Sequence, residues 1–166
     1  GRDQLTRKRT KWLDKLNYSI SALSLFFAVD MDLRKAGMDS GNYWFSETPD
    51  LEPAYNMARG STPVDRDTYP GMFLTATTLK DPSKRTKNNH HTMEAFAFVN
   101  YEEFQQWSSS DVENRPEEYK KKKQVLTDRM FRGLEKFVPG LRDHVVFHDL
   151  GTPLTNQFYV ESTKGN

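Results

Sequence analysis

Two periods of apolar positions alternate along this chain, and the switches between them mark its elements. In Ile20–Val29 both alternating sets, Ile20/Ala22/Phe26/Ala28 and Leu23/Leu25/Phe27/Val29, are apolar apart from Ser21 and Ser24. That pattern predicts a central strand apolar on both faces. A polar excursion, Asp30 to Gly37, separates it from a short strand over Asn42–Phe45. Met72–Leu79 is a β-prone run ended by the turn residues Asp81-Pro82-Ser83. His91–Asn100 then sets Glu94, Phe96 and Phe98 on one face and Met93, Ala95, Ala97 and Val99 on the other, so the two runs should pair antiparallel. Val145–Leu150 is the last predicted strand.

The helical period appears elsewhere. Thr6–Leu16 sets Trp12, Leu13 and Leu16 among basic residues, as in a short amphipathic helix. Thr48-Pro49 opens a second helix over Leu51–Arg59, closed by Gly60 and a loop containing Pro63 and Pro70. Asn114-Arg-Pro-Glu-Glu118 supplies a cap and first-turn acids for the longest helix. Its stripe is Tyr119, Leu126, Met130, Leu134 and Phe137, and Pro139-Gly140 stops it. Gly151 closes the last strand, and Thr152-Pro153 offers an N-cap followed by a first-turn proline, so strand turns sharply into a short helix. The sum is an α+β unit over residues 1–166, with a mixed, largely antiparallel sheet and helices packed on one face.

Composition narrows the chemistry. A chain of 166 residues is long enough for one core, which buries about 70% of the unfolded surface in a domain of this size. Aromatic residues make up 13% of it, so Phe, Tyr and Trp carry much of the burial and could as readily line a flat pocket. The formal charge of +1 gives no general drive toward nucleic acid. The absence of cysteine excludes disulfides, thiolate chemistry and cysteine-based zinc sites, and favours a reducing compartment. His90-His91 and the pair His144/His148, spaced to share one side of a strand, lack converging carboxylates, so no metal is expected. No Gly-x-Ser-x-Gly turn supports a hydrolase triad, and the run Ala22–Val29 is far short of a membrane span. Asn17-Tyr18-Ser19 matches a glycosylation acceptor by pattern alone. Two basic clusters stand out, Arg7, Lys8, Lys11 and Lys15 in the first helix and Lys120, Lys121, Lys122 and Lys123 in the longest. Each reads either as a solvated helix face or as a contact for an anionic membrane surface or protein partner. The chain begins at Gly1 rather than Met, which suggests a processed or excised product.

The stretch Gly151-Thr-Pro-Leu-Thr-Asn-Gln-Phe-Tyr159 resembles a motif of the flavin-dependent polyene oxidoreductases, the family of carotenoid cis-trans isomerase, bacterial-type phytoene desaturase and all-trans-retinol saturase. The resemblance extends through Phe137–Phe147, Tyr101–Trp107, Asp81–Ser83, Leu25–Arg34 and Ser40–Ser46, most of the chain. It implies the substrate domain carried by a Rossmann-like FAD domain, with a polyene tunnel between sheet and helices. It places Thr152, Pro153, Thr155 and Asn156 near the flavin and makes a hydrophobic polyene or pigment the ligand. Phe26, Phe73, Phe96 and Phe98, clustered on adjacent predicted strands, are the candidate ligand contacts, with core packing as the alternative. No Gly-x-Gly-x-x-Gly loop occurs, so the flavin-binding half is expected to be absent and the chain inactive alone, without a cofactor of its own. Two functions stay open: the polyene-binding part of a flavin enzyme, and a pigment-binding or linker subunit derived from it. The isomerase resemblance implies a chloroplast setting, peripheral to the thylakoid, with a photosynthetic membrane complex as the linker's partner.

Overall fold

The computed structural model describes residues 1–52, 55–56, 60, 67–85 and 87–166. Of the helix expected over Leu51–Arg59, Pro53, Ala54 and residues 57–59 lie outside the described residues, as does Pro63.

Five strands build one sheet: β1 (Ser21–Val29), β2 (Asn42–Ser46), β3 (Gly71–Ala76), β4 (His91–Val99) and β5 (Val145–Gly151). Their order is β2-β3-β4-β1-β5, and every pairing is antiparallel. The α-helices whose bounds fall among the described residues are α1 (Arg7–Leu13), α2 (Thr77–Lys80), α3 (Glu117–Glu135) and α4 (Pro153–Val160), and Glu52, Tyr55 and Asn56 are helical as well.

One face of the sheet is the core. Leu23, Leu25, Phe27 and Val29 of β1 and Met93, Ala95, Ala97 and Val99 of β4 are buried, as are Met72 and Leu74 of β3 and Leu150 of β5. Over them lies α3, whose Leu126, Met130, Phe131 and Leu134 are buried together at i, i+4, i+5 and i+8. Each such side chain stabilises the fold by about 1.5–3 kcal/mol through burial. Phe131 meets Phe27 edge-on with ring centroids 5.5 Å apart. Gly133 lets helix and sheet approach closely, since a β-carbon there would run into the Met72 side chain. Past the helix end, Gly140 takes φ +81° and its N–H donates to Glu135 Oε1 at 2.6 Å.

Several expectations need correction. β1 is central by its pairing with β4 and β5, but its second face is only partly covered: Ala28 is buried, whereas Phe26 is 47% exposed and Ala22 and Ser24 are half-buried. The β run expected to Leu79 ends at Ala76, because the Thr77 hydroxyl bonds to Thr92 and the chain turns into α2. The N-cap of α3 is Pro116 rather than Asn114, and Phe137 lies beyond the helix, 43% exposed, stacked on Phe45 at 3.6 Å. His144 precedes β5 and accompanies Asp30 at 2.7 Å, whereas His148 points to the core side and meets Phe131, so the two do not share a strand face.

Candidate functional site

Side chains of the face away from α3 alternate with those of the core, and the register fixes which of them meet. Phe73 on β3 sits opposite Phe96 on β4, and Trp44 on β2 opposite Phe73. The rings pack as one patch. Phe73 and Phe96 stack at 4.7 Å and 20°, while Trp44 stands edge-on to both at 5.1 and 5.3 Å. Phe98 follows Phe96 at 5.8 Å, and Tyr55 lies over Phe98 at 5.4 Å. Trp44 remains 64% exposed, so this patch is a surface and not a second core.

With Leu51, the same rings line a cavity of about 200 Å³. A wider cleft of about 900 Å³ continues past Tyr55 and Phe98 to Asn17–Ile20. Ligand pockets commonly hold about 300–1,000 Å³. The cavity alone is therefore small for an extended ligand, and cavity and cleft, which share Tyr55 and Phe98, together make a longer trough that is apolar along the rings and mixed polar and apolar beyond them. Three of the four predicted contacts, Phe73, Phe96 and Phe98, fall inside it. Phe26 shares the face, but its partner on β4 is Glu94 rather than Phe96, and beyond it on β5 lies Asp149, so a carboxylate stands at its side toward the aromatic patch. Trp44 and Tyr55 were missed. The alternation Asn42/Trp44/Ser46 could have shown the first, since it puts a tryptophan on the outward face of an edge strand.

The corner after β5 forms as its residues dictate. Thr152 caps α4 in a capping box with Thr155, its N–H donating to Thr155 Oγ1 at 3.0 Å, and Pro153 occupies the first turn. Thr152 is fully buried, with its hydroxyl 2.8 Å from the Tyr119 hydroxyl. Asn156 Nδ2 donates to the Gly165 carbonyl at 3.2 Å, and the same carbonyl accepts from Ser21 Oγ at 2.5 Å. Gly165 takes φ +64°, and a β-carbon there would collide with the Pro153 carbonyl. The polar atoms of Thr152, and the amide nitrogen of Asn156, thus hold the corner together and are not free for a cofactor. No Gly-rich phosphate loop stands near them, so these residues do not fit a flavin site by themselves.

Of the basic residues, Arg7, Lys8, Lys11 and Lys15 stand exposed along or just beyond α1, and none of the α1 residues is buried. The run in α3 is largely engaged within the protein: Lys120 pairs with Glu117 at 2.7 Å, Lys122 with Glu103 at 2.9 Å and Lys123 with Asp149 at 2.8 Å. Lys121 is exposed. Among the described residues no group of acids and histidines is placed to hold a metal ion, and no helix is long and apolar enough to cross a membrane.

Comparison with known proteins bears on this arrangement. All-trans-retinol 13,14-reductase of Danio rerio is 27% identical over 158 residues, covering 93% of this chain and 26% of that protein. The retinol reductase of Rattus norvegicus is 24% identical over 160 residues with the same coverage. Chloroplastic prolycopene isomerase of Daucus carota is 32% identical over 98 residues, 58% of this chain and 15% of that protein. These similarities support the carotenoid isomerase and retinol saturase family. No family model matches the chain. The chain spans about a quarter or less of the length of the relatives it matches, consistent with a domain of such a protein.

Proposed function

We propose that this chain is the polyene-binding part of an FAD-dependent oxidoreductase or isomerase resembling the retinol reductases and prolycopene isomerases. The observation that carries the reading is the outward patch of Trp44, Phe73, Phe96, Phe98 and Tyr55, a run of rings over an elongated trough. Flat conjugated chains match such a surface by shape and by stacking, and their burial supplies the binding energy. Flavin chemistry needs the cofactor ring held against the substrate. The Thr152–Asn156 corner is too engaged to do that, so the flavin belongs to a domain beyond this sequence. The relatives named as chloroplastic favour a plastid setting, with attachment to the thylakoid a further step of the same proposal. The exposed basic face of α1 is the part of this surface suited to an anionic membrane or protein partner.

Trp44 provides the test. All-trans-retinol or a cis-carotenoid titrated into the protein should quench the Trp44 emission saturably, with Trp44→Phe identifying that signal against Trp12 and Trp107. Saturable uptake that survives the joint replacement of Phe73 and Phe96 by Leu would overturn the assignment.

A further inference from the structure

Where α2 meets the start of β4, a separate pocket of about 230 Å³ is lined by Asp32, Arg34, Thr78, Leu79, Arg85 and His91. Its floor is built: Thr78 is 1% and His91 3% exposed. An Arg85 guanidinium nitrogen meets His91 Nε2, and a guanidinium can only donate, so that ring nitrogen accepts. The ring proton then sits on Nδ1 and is donated to Thr78 Oγ1 at 2.9 Å, which also accepts the Thr92 N–H at 3.2 Å. A neutral His91 therefore fixes Arg85 at the pocket, and the other arm of that guanidinium donates to Asn89 Oδ1 at 2.8 Å.

The charge around this floor is unbalanced. Arg85 has no carboxylate partner, and the Arg34 guanidinium forms no hydrogen bond or ion pair, among the described residues. Asp32 lines the pocket too, but its carboxylate accepts the N–H groups of Arg34 and Lys35 at 3.1 and 3.2 Å and lies 3.7 Å from the Lys35 ammonium. Its charge is answered from its own turn. Two arginines thus line a cavity with a buried polar floor, and the carboxylates near them are held by their own turns, Asp32 as above and Asp39 by the Gly41 N–H and the Tyr43 hydroxyl at 2.7 and 2.8 Å.

We propose that this pocket binds a phosphate group, gripped by Arg34 and Arg85 above the His91–Thr78 floor. A tetrahedral phosphate offers oxygens to two planar forks at once, whereas a carboxylate satisfies one fork. The group could belong to a soluble phosphate compound or to a phospholipid headgroup, and the chemistry of recognition is the same.

The His91 ring reports on occupancy. Inorganic phosphate titrated into the protein should shift the His91 Cε1–H resonance saturably, with His91→Gln identifying the signal. Arg34→Ala should weaken the binding by about tenfold or more, as expected for loss of a charge-assisted fork. Because Arg34 bonds to nothing on the floor, that variant leaves the reporter in place, and near-UV circular dichroism checks its fold. Arg85→Lys should weaken binding despite keeping the charge. In a second arm, vesicles of phosphatidylcholine with and without phosphatidate are sedimented with wild type and Arg34→Ala, α1 being intact in both. A saturable, Arg34-dependent response to inorganic phosphate supports the soluble ligand, and one seen with phosphatidate vesicles alone supports the headgroup. Absence of a saturable response in both arms, or a response unchanged in Arg34→Ala, overturns the proposal. Neither result depends on polyene uptake at the aromatic face.

Discussion

Phe73 and Phe96 occupy directly paired positions of β3 and β4, and their rings stack at 4.7 Å on the side of the sheet that α3 does not cover. Both are half-buried rather than sealed in the core. Replacing Phe96 and Phe98 by Leu removes four ring pairs at about 0.5–1.5 kcal/mol each, so the fold should lose about 2–6 kcal/mol while polyene uptake falls sharply. Parallel urea melts and Trp44 quenching separate the two effects. A large loss of stability with unchanged uptake would mean that the rings serve packing alone.

That face also shows where the sequence was legible. Alternation in His91–Val99 assigned Phe96 and Phe98 to one side and Met93, Ala95, Ala97 and Val99 to the other, and the structure has them so. In β1 both sides read as apolar, which periodicity interprets as double cover. An apolar face that awaits a ligand or another domain has the same composition as a covered one, so Phe26 could not be told from Phe27. The Thr152-Pro153 corner was legible because its signals are local: a cap, a proline and a glycine before them. The Asn156–Gly165–Ser21 linkage was not, since no local rule connects residues so distant in the chain.

The buried hydroxyl pair gives a second prediction. Tyr119→Phe and Thr152→Val should each destabilise by about 1–3 kcal/mol, because each leaves its partner's hydroxyl buried without this bond. The double variant should cost less than the sum, as read from a double-mutant cycle in urea. Additive losses would show that the two hydroxyls act independently.

Gly165→Ala should destabilise by about 1–3 kcal/mol or more, combining strain at φ +64° with collision against the Pro153 carbonyl. Limited proteolysis should then cut the segment after α4 faster than in wild type, whereas Gly37→Ala, with open space around its β-carbon, would show backbone strain without that release.

Acid should weaken the fold through His91. Burial first, and then the neighbouring Arg85, depress its pKa below the ordinary histidine value of about 6.5, so the native state favours the neutral ring. Across the interval from that value down to the depressed one, the unfolded chain binds more protons than the folded one. Stability is thus fully present above about pH 6.5 and declines as pH falls through that window. Denaturant midpoints between pH 7.5 and 5 should fall less in His91→Gln than in wild type. Asp32 and Arg34 also face the ring, with opposite effects.

The chain by itself should leave FAD fluorescence unquenched and should not turn over a cis-carotenoid. Thr152 and Asn156 are committed to the corner, and no strand-to-helix glycine loop is present to receive a pyrophosphate. Saturable micromolar quenching with turnover would contradict both the site and the domain assignment.

The bond from Ser21 to the Gly165 carbonyl joins residues 144 apart in sequence. Entry into the first strand and exit from the last helix thus share one doorway. Counted from Ser21 to Gly165, such a unit has its entry and exit side by side, a geometry that adds almost nothing to the distance a surface turn of a larger host must span.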